Sequence, residues 1–139
     1  MGGSESKLNL RKAVVQLTSK LQTVEPQDNE FWDQLWCENM CSIHDFFALI
    51  PAAEIRALRE ESPANLANLC YKAIEKLVHC SIDLHLTDED QIVVLNCSRL
   101  LTRILPYIFE DSDWNGLFWN KVLIRLIYMK QINFCFIVL

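Results

Sequence analysis

Residues 87–106 have the sequence TDEDQIVVLNCSRLLTRILP, and this stretch indicates a helical fold. Thr87 is a favoured N-cap residue, and the three acidic residues that follow it suit the positive end of a helix dipole. Apolar side chains then recur at helical spacing until the chain reaches Pro106: Val93, Cys97, Leu100, Leu101 and Ile104. The stretch therefore predicts a long helix with one buried face.

Two further helices are predicted on the N-terminal side of this stretch. Residues 7–24 carry an apolar stripe at steps of three and four, made of Leu10, Val14, Leu17, Leu21 and Val24. Pro26 closes this helix, and Asp28 or Asn29 can cap the next. Residues 31–50 then form a wide apolar face rich in aromatic side chains, which makes them the best candidate for the core.

Proline signals complete the set of helices. Pro51 begins a short helix, and Ser62-Pro63 begins a long one, because serine caps helices and proline is favoured at the first helical position. Residues 81–86 are predicted to be a loop. With only 3 Gly and 4 Pro, the chain lacks the turn residues that an all-β fold requires. We predict an all-α fold, either an antiparallel helical bundle or an armadillo/HEAT-like helical array, with four main helices and one short one.

The chain is predicted to have three parts. Residues 1–6 form a flexible segment, residues 7–119 a helical domain, and residues 120–139 a divergent apolar tail. The tail, NKVLIRLIYMKQINFCFIVL, has too many polar interruptions for a single membrane span, which needs about 20 mostly apolar residues. Most of its residue types have AT-rich codons, which suggests that it is translated from sequence outside the usual reading, such as a retained intron.

The charge distribution excludes some partners and favours another. The chain carries a net charge of −5, but residues 2–24 hold four basic residues against one acidic residue, so their net charge is +3 and that of the remainder is −8. An acidic body lacks the clustered basic face that neutralises phosphates, so we expect no nucleic-acid partner. A small basic N-terminus suits the anionic surface of a membrane.

The first residues match an acylation motif. N-myristoylation requires Gly2 and a small hydroxyl residue at position 6, which is Ser6 here, and Lys7 follows. One myristoyl chain binds a bilayer with an association constant of only about 10⁴ M⁻¹, so a second signal is needed. Basic residues of the first helix supply it: Lys7, Arg11, Lys12 and Lys20. The alternative is that residues 2–6 are a solvated tail and that the helix simply packs by its apolar stripe.

Two weaker patterns suggest a metal. Six cysteines without a secretory signal indicate reduced thiols in a cytosolic protein, and two sets could be ligands: Cys37, Cys41 and His44, or His79, Cys80 and His85. Asp111, Asp113, Asn115 and Gly116 match the start of a calcium-binding EF-hand loop, but Val122 stands where its bidentate glutamate is required. Buried thiols and an acidic turn explain these residues more simply, and we expect no metal or cofactor.

Several blocks of the sequence resemble one family. They are MGGSESKLNLRKAVVQLTSK, FWDQLW, PAAEIRALREESPANLANLCYKAIEKLV and VLNCSRLLTRILPYIFED, and they are similar to the N-terminus of the high-temperature-induced dauer-formation protein family, which is related to dymeclin. The resemblance runs from Met1 to about Trp119. It implies a large helical peripheral protein of the Golgi and trans-Golgi membrane, myristoylated at Gly2, that supports dense-core vesicle biogenesis and cargo sorting in the secretory pathway.

Three classes of function follow. The first is a membrane-anchored, non-enzymatic trafficking scaffold with protein partners in the secretory pathway, or a non-functional truncated isoform of one. The second is a small cytosolic metal- or calcium-binding helical module. The third is an enzyme, but the chain has no phosphate-binding glycine loop, nucleophile elbow or zinc-protease motif. We therefore expect no catalytic activity.

Overall fold

The computed structural model describes residues 11–19, 22–36, 48, 50–82, 85–118 and 120. Within these ranges every regular element is a helix, so the predicted all-α fold is confirmed. Five helices have defined bounds: α1 Asn29–Trp36, α2 Ala52–Glu61, α3 Pro63–Ile82, α4 Asp88–Phe109 and α5 Ser112–Phe118. Residues 11–17 are also helical and are called the N-terminal segment below.

The two longest helices, α3 and α4, form the centre of the fold. A short connection turns α4 back along α3, as expected for neighbouring helices joined by few residues. The predicted cap of α4 is confirmed, because Thr87 Oγ1 accepts a hydrogen bond from the Asp90 amide at 3.1 Å, and the Asp90 carboxylate accepts one from the Thr87 amide at 3.1 Å. One apolar core joins the facing sides of both helices.

Aromatic residues of α1 fill the side of this core. Trp32 and Trp36 are buried and stacked with their rings 6.2 Å apart, and Phe31 meets Trp32 edge-on at 4.9 Å. The buried Asn96 amide of α4 donates to the Trp36 carbonyl of α1 at 3.0 Å. The last turn of α1 is thereby tied to the middle of α4.

The N-terminal segment ends earlier than the sequence predicts. Helical backbone stops at Leu17 instead of reaching Val24, and the Asn65 side chain of α3 bonds to the backbone that leaves it. Asn65 Nδ2 donates to the carbonyls of Leu17 at 2.9 Å and Gln22 at 3.1 Å, and Oδ1 accepts from the Val24 amide at 2.8 Å. One buried amide thus satisfies three backbone groups that the helix no longer pairs.

Two neighbours of Asn65 extend this attachment along the start of α3. The Ser62 hydroxyl donates to the Ser19 carbonyl at 3.3 Å, and Asn68 Nδ2 donates to the Val24 carbonyl at 2.9 Å. The three side chains are three residues apart, so they share one face of α3. Pro63 is the first helical residue as predicted, but the Ser62 hydroxyl binds the incoming chain as well as marking the helix start.

Other predictions differ from the structure or fall outside it. Asp28 caps α1 as predicted, with its carboxylate 3.3 Å from the Phe31 amide, whereas residues 37–47 of the predicted 31–50 helix lie outside the described residues. α4 continues through Pro106 to Phe109. The short helix α5 was not predicted, because an acidic stretch with a glycine resembles a turn.

The attachment at Asn65 makes a specific prediction about stability. Asn65→Ala leaves buried backbone groups unpaired and should lower the free energy of unfolding by about 3 kcal/mol. Asn68→Ala removes one half-buried hydrogen bond and should cost about 1 kcal/mol. Urea denaturation measures both values, and hydrogen exchange at the Val24 amide should accelerate only in Asn65→Ala. Equal losses of stability in the two variants would contradict the assigned role of Asn65.

Candidate membrane-attachment site

The N-terminal segment uses its apolar face to pack on the domain. Val14 and Leu17 are buried in the core, and so is Val24 after the segment ends, which confirms three members of the predicted stripe. Leu10 and Leu21 lie outside the described residues. Because the apolar face is already buried against protein, these three side chains are not free to insert into a lipid bilayer.

A small apolar cavity lies beneath the N-terminal segment. Its volume is about 20 Å³, enough for about one water molecule. Residues from the segment and from four of the helices line it, including Val14, Leu17, Leu35, Ile55, Leu69 and Ile104. Such a space offers no convergent polar groups for a substrate and marks a nearly complete packing of the segment against the core.

Two of the predicted basic residues, Arg11 and Lys12, lie in the described part of the segment, outside its buried face. Lys12 is exposed, and beside it Val15 presents an apolar side chain to solvent. Arg11 lies at the edge, where its Nη1 donates to Glu54 Oε2 of α2 at 2.7 Å. A partly exposed ion pair of this kind contributes about 0–1 kcal/mol to stability, and it offsets part of the charge of Arg11.

The remaining residues of the predicted lipidation site lie outside the described residues: Gly2, Ser6, Lys7 and Lys20. Their roles stay predictions. Of the four predicted membrane-surface cations, the structure therefore places two: Lys12 is exposed to solvent, and Arg11 is paired with Glu54.

A second polar cluster, which the sequence analysis missed, joins α2 to the end of α4. Arg59 is only 9% exposed and donates to the Tyr107 carbonyl at 2.7 Å and to the Glu110 carboxylate at 3.1 Å. Arg56 donates to both carboxylate oxygens of Glu110, at 3.1 and 3.3 Å. The indole of Trp114 donates to the Arg59 carbonyl at 3.1 Å and so adds α5 to the cluster.

Cation–π contacts complete this cluster. The guanidinium groups of Arg56 and Arg103 lie 5.0 and 5.5 Å from the centre of the Tyr107 ring. Arg103 also donates to the Ile50 carbonyl at 3.0 Å. Arg103 and Tyr107 are four residues apart on α4, a spacing that could have predicted their contact. Backbone carbonyls and the Glu110 carboxylate accept hydrogen bonds from these guanidinium groups. The cluster therefore holds α2 and α4 together and does not form a basic surface.

The described cysteines have the chemistry of core residues. Cys70, Cys80 and Cys97 are buried free thiols. Burial raises the pKa of the Cys70 thiol to about 12, and burial together with nearby Cys80 does the same for Cys97. Among the described residues no group of three His, Cys, Asp or Glu side chains is arranged to hold a metal ion. Cys37, Cys41 and His44 lie outside them.

The residues of the EF-hand-like stretch belong to the start of α5. Asp111 Oδ1 accepts hydrogen bonds from the amides of Asp113 at 2.9 Å and Trp114 at 3.1 Å, which is the geometry of a helix N-cap. Gly116 lies inside α5, whereas a calcium loop needs its glycine at a sharp turn. Capping and helix formation therefore account for this acidic stretch.

Comparison with known proteins identifies the family. The model of the high-temperature-induced dauer-formation protein (Hid1) family matches residues 1–132. The chain belongs to this family. The Hid1 match continues past Trp119, where the resemblance of the sequence blocks was predicted to end. No solved structure matches the chain.

The chain is similar to part of much longer Hid1 relatives. It is 63% identical to protein HID1 of Mus musculus and 62% identical to that of Homo sapiens, each over 122 residues that make up 88% of this chain and 16% of the relative. It is 35% identical over 127 residues to the Ubp5-interacting protein ftp105 of Schizosaccharomyces pombe, covering 86% of this chain and 13% of that protein. The chain thus spans about one sixth of the length of the two mammalian relatives.

The length and composition of the described helices indicate whether any of them could cross a membrane. By length and composition alone, one of them, α4, is long and apolar enough to cross a bilayer. A core helix of a soluble protein passes the same test, and α4 packs one face in the core of this domain. Length and composition therefore do not establish a membrane span here.

The arginine cluster predicts how stability depends on pH. Hydrogen bonds from Arg56, and then from Arg59, hold the pKa of the Glu110 carboxyl below its usual range. A carboxyl with a lowered pKa stabilises the folded state above its ordinary pKa, and that stabilisation is lost as the pH falls through the folded-state value. Glu110→Gln should therefore be less stable than the wild type at pH 7 and closer to it at pH 3.

Urea denaturation at the two pH values measures this difference. Glu30→Gln, which removes an exposed carboxylate from α1, is the control, and its difference from the wild type should change little. A stability difference for Glu110→Gln that is the same at pH 7 and pH 3 would contradict the role assigned to the two arginines.

Proposed function

We propose that this chain is a myristoylated peripheral protein of the Golgi and trans-Golgi membrane, and a non-enzymatic scaffold in secretory trafficking, dense-core vesicle biogenesis and cargo sorting. Membership of the Hid1 family supports the proposal, and so does the acylation motif at Gly2 and Ser6. The chain covers a small part of its relatives, so its share of this proposed role is attachment to the membrane.

One structural observation carries the attachment role. The N-terminal segment is held by its buried Val14 and Leu17, so the face with Lys12 points away from the domain. The acyl acceptor precedes this segment by few residues, which keeps the lipid and the cations close together. A bilayer then meets an acyl chain and a basic surface, while the apolar stripe stays in the core.

The affinity for the membrane is determined by two small contributions to the binding free energy, one from the acyl chain and one from the cations. A single myristoyl chain gives an association constant of about 10⁴ M⁻¹, and each cation near an anionic leaflet adds about 1 kcal/mol. Lys7, Lys12 and Lys20 would together strengthen binding by roughly two orders of magnitude. Glu54 reduces the contribution of Arg11, because the two form an ion pair on the domain side. Attachment of this strength is useful and still reversible.

Binding to lipid vesicles tests the separate contributions of the acyl chain and the basic residues. The myristoylated 139-residue chain should bind vesicles of phosphatidylcholine and phosphatidylserine, and the unacylated chain should not. Lys12→Gln should weaken binding about fivefold, which is the effect of one cation near the leaflet. Glu54→Gln should strengthen binding by up to about fivefold, because it removes the carboxylate that offsets the charge of Arg11. Vesicle co-sedimentation in low salt measures each affinity.

A matched variant controls for net charge. Glu30→Gln makes the same charge change at an exposed position of α1 and should leave the affinity for vesicles unchanged. Equal affinities of the acylated and unacylated chains would refute the lipid anchor. A Glu54→Gln chain that binds like Glu30→Gln would show instead that the Arg11–Glu54 pair does not limit attachment.

A further inference from the structure

The side of α4 that faces away from the core carries no charge over most of the helix. We define this outer face by six residues: Gln91, Leu95, Ser98, Thr102, Pro106 and Phe109. All of them except Ser98 are exposed to solvent, and Leu95 and Phe109 are each 46% exposed. The face is about 27 Å long. The solvent side of a helix normally carries charged residues, so this composition indicates a surface that contacts another part of a protein.

The two hydroxyl groups on the outer face are already bonded within the helix. Ser98 Oγ donates to the Val94 carbonyl at 2.8 Å, and Thr102 Oγ1 donates to the Ser98 carbonyl at 2.7 Å. Because these donors are used inside the helix, an apolar surface that covers them does not leave them unpaired. Covering the outer face therefore costs little in hydrogen bonds to water.

We propose that the outer face of α4 is the docking surface for the part of a longer Hid1 chain that lies outside the region matched here. The Hid1 family model matches residues 1–132, which include all of α4, so this helix belongs to the region that the family shares. The match covers only 16% of each mammalian relative, so more than four fifths of each relative lies outside it. The docking part of that remainder offers a largely apolar surface, because the outer face has no charged group to pair with a buried charge.

The position of the N-terminal segment argues against the membrane as the occupant. Leu100 and Ile104, which belong to the core side of α4, line the cavity beneath that segment. The N-terminal segment therefore lies on the core side of α4, and the outer face is on the opposite side of the helix. A bilayer that binds the N-terminal segment would not also cover the outer face.

The size of the outer face argues against a second copy of the chain. A helix face about 27 Å long and about 10 Å wide offers about 270 Å². A stable interface between separate proteins buries about 800 Å² on each partner. A partner on the same polypeptide needs less area, because covalent attachment gives it an effective concentration in the millimolar range. The remainder of a longer Hid1 chain meets this condition, and a second copy does not.

Photo-crosslinking in a full-length chimera tests the proposal. We would replace the matched region of mouse protein HID1 with that of this chain and place p-benzoylphenylalanine at position 95 or position 102 of the outer face. Position 15, where Val15 is 55% exposed on the N-terminal segment, is the control. Mass spectrometry of an equal mixture of ¹⁵N-labelled and unlabelled chimeras separates crosslinks within one chain from those between copies. Positions 95 and 102 should crosslink within one chain to mouse residues outside the replaced region, and position 15 should not.

A charged substitution gives a second measurement. Leu95→Lys should leave the thermal midpoint of the 139-residue chain nearly unchanged, because Leu95 is half-exposed there. The same substitution should lower the midpoint of the chimera, where the docked remainder would bury the new charge. Val15→Lys is the matched control and should leave both midpoints nearly unchanged.

Each other outcome would overturn the proposal. Crosslinks between labelled and unlabelled chimeras would assign the outer face to a second copy, and crosslinks to lipid in the presence of phosphatidylcholine and phosphatidylserine vesicles would assign it to the membrane. An equal yield from position 15, no crosslink to the mouse residues, or an equal effect of Leu95→Lys on both proteins would show that the remainder does not cover α4. A chimera that fails to fold while mouse HID1 folds would show that the outer face does not fit that remainder.

Discussion

The side-chain amide of Asn65 holds the N-terminal part of the fold in place. It pairs two carbonyls and one amide of the chain that leaves the N-terminal segment, and it does so from a position that is 2% exposed. A buried backbone group without a partner costs about 1–3 kcal/mol, so this one side chain makes the early end of the helix tolerable. Val14 and Leu17 are buried immediately before the chain makes these hydrogen bonds.

The hydrogen bonds of Asn65 determine which face of the N-terminal segment is available to a membrane. An amphipathic helix usually binds a bilayer by inserting its apolar face into the boundary between headgroups and acyl chains. Here that face lies in the protein core, and the outward side carries Lys12 and Val15. Lipid binding in the proposed function therefore rests on an acyl chain and on charge. The pairing of Arg11 with Glu54 connects this charge to α2, a helix that α3 and α4 also contact.

The sequence predicted those features that depend on local signals. The Thr87 capping box, the start of α3 at Pro63 and the apolar stripe of α4 each follow from a few neighbouring residues. The role of Asn65 did not, because an asparagine in the first turn of a helix does not reveal that its partners lie more than 40 residues earlier. For the same reason the contacts between Arg59 and Glu110 were missed. Arg103 and Tyr107 are an exception, because their spacing is itself a local signal.

At the candidate site, the structure describes only some of the residues that the sequence predicts. Arg11 and Lys12 are described, and Gly2, Ser6, Lys7 and Lys20 are not. The acylation motif is a short local pattern, and the structure adds Lys12 on an outward face and Arg11 in an ion pair. In the proposed function, an acyl chain at Gly2 brings the protein to Golgi membranes. Fractionation of secretory cells that express the wild type, Gly2→Ala or the control Gly3→Ala tests it most directly. The account predicts that the wild type and Gly3→Ala sediment with Golgi membranes while Gly2→Ala moves to the cytosol; the same distribution for all three chains would contradict it.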